Sequence, residues 1–155
     1  MYKIVFVCYA NIQRSKYAEE RMKEIIRVHN LDNISANSAG KWHIFGTKNE
    51  YDQWGTKGRK EEHRQRVKDA DLILVMSKDI ERDLRNIREL DISNKKIFTL
   101  KEFVFNKLLG ENKDDADFDI KDGPTQGNEG WKPQIDECMD KIKENIEVFK
   151  DFIEK

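Results

Sequence analysis

An apolar run, Lys3-Ile4-Val5-Phe6-Val7, ends in Cys8, and Arg14 and Ser15 follow after five intervening residues. The run reads as a strand, and the pattern from Arg14 onward reads as a helix. A strand that stops at a cysteine and a helix that opens with an arginine leave few folds open. The loop between them can turn its backbone N–H groups toward one point, the helix N-terminus adds positive potential there, and the sulfur lies at the floor. Such a cradle suits a tetrahedral dianion. The plainer reading is a cysteine that serves as a small buried hydrophobe and an arginine that is an ordinary first-turn surface charge. What separates the two is position: the cradle works only at a strand-to-helix junction, and the match falls on one.

Further along, apolar periodicity alternates between short runs and long amphipathic ones. Tyr2 to Cys8 is nearly continuous in apolar character, as a strand covered on both faces requires. Arg14 to His29 carries Tyr17, Ala18, Met22, Ile25 and Ile26 on one helical face. A weak strand spans Ile34 to Ser38, and the stretch from Lys41 to Lys60, mixed in Gly, aromatic and charged residues, reads as mostly loop. A short helix is expected over Glu61 to Lys68, a buried strand over Asp71 to Met76, a helix over Asp79 to Leu90 and a fourth strand over Lys96 to Leu100. Residues 101–109 read as helical and Gly110 to Gly130 as an acidic loop. The chain closes with Pro133 at a helix start and one stripe of Ile135, Cys138, Met139, Ile142, Ile146, Phe149 and Ile153.

This alternation implies an α/β fold with a central four-stranded parallel sheet between helical layers, in a single domain over residues 1–155. Ligands of such sheets bind at the carboxyl ends of the strands, where Cys8 falls. The 29 basic and 30 acidic residues nearly cancel, so no net field favours nucleic acid or an anionic membrane as partner. No stretch has the length and character of a signal peptide or a membrane span, so a cytoplasmic protein is expected. Two cysteines 130 positions apart build neither a disulfide framework nor a zinc site. His29, His43 and His63 share no metal-ligand spacing; all three read as structural or exposed, and no metal or cofactor is expected.

The segment Cys8-Tyr9-Ala10-Asn11-Ile12-Gln13-Arg14-Ser15, with Ala18-Glu19 behind it, resembles the signature of the low-molecular-weight protein tyrosine phosphatases. Ser38-Ala39-Gly40, Trp42-His43 with Gly46, Ala70 to Met76 and Asp122-Gly123-Pro124 agree in order and spacing, so the likeness spans nearly the whole chain. It implies the same α/β/α fold, with a phosphate-binding loop after the first strand, and hydrolysis of phosphotyrosine and small aryl phosphates. The substrate would be a tyrosine-phosphorylated protein or peptide, and phosphate-like anions would bind in its place.

A mechanism follows from the residues. A thiol facing a helix N-terminus and a guanidinium ionises more readily than the usual 8.5 or so, so Cys8 is expected to attack as a thiolate. The N–H groups of residues 9–14 and the Arg14 fork would hold the phosphoryl oxygens and match the charge of the transition state. Ser15 would donate its hydroxyl to the sulfur, or else make a local bond in the first helical turn. Asn11 tolerates the left-handed backbone such a loop needs. By resemblance, Asn11 and Ser38 brace the loop and Trp42 walls the substrate ring, though a loop tryptophan also packs readily on a core.

A phenolate leaving group calls for a carboxylic acid. Resemblance singles out Asp122, with Asp119 as the fallback. The family pattern has Asp directly before Pro, whereas Gly123 intervenes here. An aliphatic residue at Ile12 resembles the tyrosine-directed members, while threonine there resembles the arginine phosphatases. Gln13 replaces the second cysteine that protects the nucleophile in many relatives, and Cys138 reads as inert core. The alternatives are an arsenate reductase of the same fold, a phosphocarrier module and a non-catalytic phosphotyrosine-binding module.

Overall fold

The computed structural model describes residues 1–9, 13–45, 59–114, 118–120 and 130–154, without the side chains of Trp42 and Arg59. Four strands, β1 (Tyr2–Cys8), β2 (Ile34–Gly40), β3 (Leu72–Val75) and β4 (Lys96–Thr99), form a parallel sheet in the order β2-β1-β3-β4. Cys8 pairs in register with Gly40, and Val7 with Val75. The two central strands are buried from Ile4 to Cys8 and from Leu72 to Val75. That explains their unbroken apolar character, since neither face meets water.

Helices α1 (Arg14–Val28), α2 (Lys41–Phe45), α3 (Arg59–Asp69), α4 (Lys78–Arg85), α5 (Trp131–Glu144) and α6 (Ile146–Glu154) complete the α/β architecture expected from the alternation. The chain passes from β1 outward to β2, then back across to β3 and on to β4. For this strand order, the right-handed crossover rule assigns α1 to one face of the sheet and α3 and α4 to the other. α5 packs against α1 and so joins its layer. The carboxyl ends of β1 and β3 diverge at this reversal, the place where open α/β sheets bind ligands.

Three stretches depart from the sequence expectation. Residues 41–45, expected as loop, form α2, which buries His43 and Ile44; an element this short shows no periodicity. The helix expected to Leu90 ends at Arg85 and gives way to a 3₁₀ turn over Arg88–Leu90. The single closing helix is two: Asn145 leaves helical geometry (φ −122°, ψ 42°). Its side-chain Nδ2 donates to the Lys141 carbonyl at 2.9 Å, and its own carbonyl accepts the Phe149 N–H at 3.0 Å. Asn145 therefore closes α5 and opens α6. Ile142, Phe149 and Ile153 stay buried across the break, so the stripe continues in phase and hides it.

Residues 102–108 are helical as expected but wound as a π-helix, with the Leu109 N–H donating to the Val104 carbonyl at 3.1 Å. Phe103, Val104, Phe105 and Leu108 are all buried, and the wider winding gathers them onto a narrower arc than an α-helix would.

Candidate active site

Cys8 closes β1 and Arg14 opens α1, so the strand-to-helix junction read from the sequence exists. The Gln13 carbonyl accepts the Tyr17 N–H at 2.9 Å, which sets Arg14 and Ser15 in the first turn, where N–H groups lack intrahelical acceptors. Cys8 Sγ and Ser15 Oγ lie 2.9 Å apart, both buried. If the sulfur is a thiolate, only the hydroxyl can donate.

Arg14 is held from two sides. Its Nη1 donates to the Ile120 carbonyl at 2.8 Å, and its guanidinium carbon lies 5.6 Å from the centre of the Tyr9 ring. The Ile120 N–H donates in turn to the Met76 carbonyl just beyond β3, at 2.8 Å. Phe118 and Ile120 are buried, so residues 118–120 dock at the carboxyl end of the sheet.

The two candidate acids fare differently. Asp119 Oδ1 accepts the Lys78 N–H at 2.9 Å, which commits that carboxylate to the start of α4. Asp122 lies outside the described residues, as do Ala10, Asn11, Ile12 and the Trp42 side chain.

Ser38, expected to brace the loop, sits at the buried end of β2 and donates its hydroxyl to Glu19 Oε1 at 2.5 Å. Glu19 also accepts from Lys23 Nζ at 2.6 Å. Burial alone would raise the Glu19 carboxyl, but the bonds from Lys23 and Ser38 outweigh it and hold it below the ordinary value. No role for Glu19 was read from its position in the chain. A signal was present, since a charge beside Ala18 and Met22 on an apolar helical face needs a buried partner.

A second group escaped the sequence entirely. The Tyr9 hydroxyl donates to Asp79 Oδ2, and Ser77 donates to the other oxygen of the same carboxylate. Lys41 Nζ sits 5.0 Å from the Tyr9 ring centre and pairs with Asp83 at 2.5 Å. Burial and the bond to Asp79 raise the Tyr9 phenol. Burial acts upward on Asp79 as well, but the hydrogen bonds of Ser77 and Tyr9 and the charge of Lys41 bring it below its ordinary value.

Cys138 lies in the core of α5, and burial pushes its thiol up to about 12. His43 and His63 are buried with ring centres 4.4 Å apart, and His63 Nδ1 accepts the Gly40 N–H at 3.0 Å. A cavity of about 450 Å³ between α3 and the early residues of β1 and β2 lies away from Cys8. Among the described residues, no helix is long and apolar enough to cross a membrane.

The same fold recurs in solved structures. YfkJ from Bacillus subtilis is 25% identical, with a TM-score of 0.65 over 97% of each chain. A low molecular weight protein tyrosine phosphatase from T. tengcongensis is 25% identical, with a TM-score of 0.60 over 95% of this chain and 99% of that one. The YwlE arginine phosphatase from Geobacillus stearothermophilus, 24% identical with a TM-score of 0.55 over 97% and 96%, shares the fold. No curated protein sequence matches the chain. The family model described as low molecular weight phosphotyrosine protein phosphatase matches residues 3–155, nearly the full length, and the chain belongs to that family.

Proposed function

We propose that this chain is a single-domain cytoplasmic protein phosphatase that hydrolyses phosphotyrosine through a cysteinyl-phosphate. Family membership supports phosphatase activity. The observation that carries the cysteine route is the 2.9 Å contact between Cys8 Sγ and Ser15 Oγ, with Arg14 the preceding residue in the same first turn of α1. That pairing suits a sulfur that must be both nucleophile and leaving group.

Cys8 attacks phosphorus in line, forming the S–P bond as the P–O ester bond breaks. The departing phenolate takes a proton from Asp122. The loop amides and Arg14 hold the three remaining oxygens. Water then attacks phosphorus, Asp122 takes its proton, the S–P bond breaks, and Ser15 receives the thiolate. Asp122 is preferred over Asp119 because the Asp119 carboxylate already accepts the Lys78 N–H. An arsenate reductase would relay through further cysteines, and the one other cysteine, Cys138, is core.

Similar structures include both a tyrosine and an arginine phosphatase, and Ile12 favours tyrosine by resemblance. The test is hydrolysis, in EDTA, of phosphotyrosine, phosphoserine and phosphoarginine peptides. Turnover of phosphotyrosine above the others, lost in Cys8→Ser with vanadate binding kept, is the expected result. Faster turnover of phosphoarginine overturns the substrate assignment; full activity in Cys8→Ser overturns the cysteine route.

A further inference from the structure

We infer that Tyr9 is a positioning residue that fixes the Arg14 guanidinium through a tether from its hydroxyl to Asp79, an inference that rests on the phosphatase reading above. Tyr9 follows the nucleophile directly, so its backbone is the first link of the loop. Its side chain reaches across 70 positions of sequence to the first turn of α4. There Asp79 is itself restrained, one oxygen by Tyr9 and the other by the Ser77 hydroxyl. The first link of the loop is thus tied to the far side of the switch point, to the segment that leaves β3.

The ring does a second job. Arg14 lies over it at 5.6 Å and Lys41 at 5.0 Å, so one aromatic ring contacts two cations, each attracted to its π-system. Lys41 is neutralised by Asp83 at 2.5 Å and stands in the field of Asp79. The charge that Lys41 would otherwise set against Arg14 is therefore balanced. Arg14 meets both the Ile120 carbonyl and the Tyr9 ring. An arginine held at two points spends less freedom when it closes on the phosphoryl oxygens. The hydroxyl holds the ring, and the ring holds the arginine.

The experiment compares wild type with Tyr9→Phe, Asp79→Ala, the double variant and Tyr9→Leu. In each, kcat is referred to sites titrated by the burst of aryl alcohol, and inhibition is measured with vanadate and with inorganic phosphate. Tyr9→Phe and Asp79→Ala should each lower kcat/KM about 10-fold, the scale of one hydrogen bond to a charged group. The double variant should lose no more than the larger single loss. Vanadate, which mimics the five-coordinate transition state, should weaken by the same factor, and phosphate by less. Tyr9→Leu, which also loses the ring, should fall further than Tyr9→Phe. Losses that multiply in the double variant, or vanadate inhibition unchanged in Tyr9→Phe, overturn the tether. A role in stability alone would lower the melting temperature and the number of titrated sites but leave kcat per site unchanged, and that outcome also refutes the inference. A wild-type chain with no burst and no vanadate binding would remove the phosphatase reading and this inference with it.

Discussion

Ser15→Ala should separate the two chemical steps. In the first step the sulfur donates electrons to phosphorus and its hydrogen bond is given up; in the second it departs as a thiolate and regains the bond. The contact is 2.9 Å, and both residues are buried. A hydrogen bond to a charged group contributes about 1.5–3 kcal/mol, which converts to roughly 10- to 100-fold in the rate of the step that needs it. Stopped-flow release of p-nitrophenol should therefore show a full burst of one equivalent followed by a steady state slower by that factor. The phosphoenzyme should accumulate and be trapped by acid quenching. Wild type, with the second step also assisted, should leave its burst for a faster steady state. If the burst rate itself falls by that factor while the steady state tracks it, Ser15 assists attack rather than departure, and the leaving-group assignment is wrong.

Asp122→Ala should lower kcat on phenyl phosphates, with less effect on esters of acidic phenols that leave unaided. Asp119→Ala should instead lower the melting temperature by a few degrees, on the scale of one lost helix cap of about 1 kcal/mol; the reverse pattern reassigns the acid. Glu19→Gln should flatten the acid limb of the stability profile. The Glu19 carboxyl is held below its ordinary value, so its contribution is complete above the unfolded value of about 4.3 and is lost as pH falls through the lower folded one. Urea unfolding from pH 7 down to pH 3 should show the wild-type advantage shrinking below about pH 4.5, and an advantage that grows there contradicts the assignment. Burial pushes Cys138 up to about 12, so iodoacetamide at pH 8 should label one thiol in the native chain and two in urea; equal native labelling of both refutes the core placement.

The parts of the fold that were legible are those where burial is unambiguous. β1 and β3 are apolar because both faces are covered, and α1 shows its inner stripe because its outer face meets water. What escaped lacked that contrast. α2 is too short to show a period. The break at Asn145 preserves the phase of the stripe, and the winding of residues 102–108 depends on how the apolar face is shared with its neighbours. At the site, Cys8, Arg14 and Ser15 were legible because local spacing alone brings them together. Tyr9, Asp79 and Lys41 were not, since their meeting is made by sheet order, which joins residues 9, 41 and 79 through the adjacent ends of β1, β2 and β3. Ser38 was expected to brace the loop; its hydroxyl lies on Glu19, whose side chain crosses from α1 to the end of β2.

The acceptor that Arg14 finds at residue 120 is main chain. A side-chain acceptor can be deleted by one codon; a carbonyl cannot. Substitution at position 120 leaves the anchor in place so long as the Met76 pairing keeps the strand-end path. The segment that follows, where Gly123 separates Asp122 from Pro124, is therefore free to vary in composition without untying the arginine that the proposed mechanism sets on the phosphoryl oxygens.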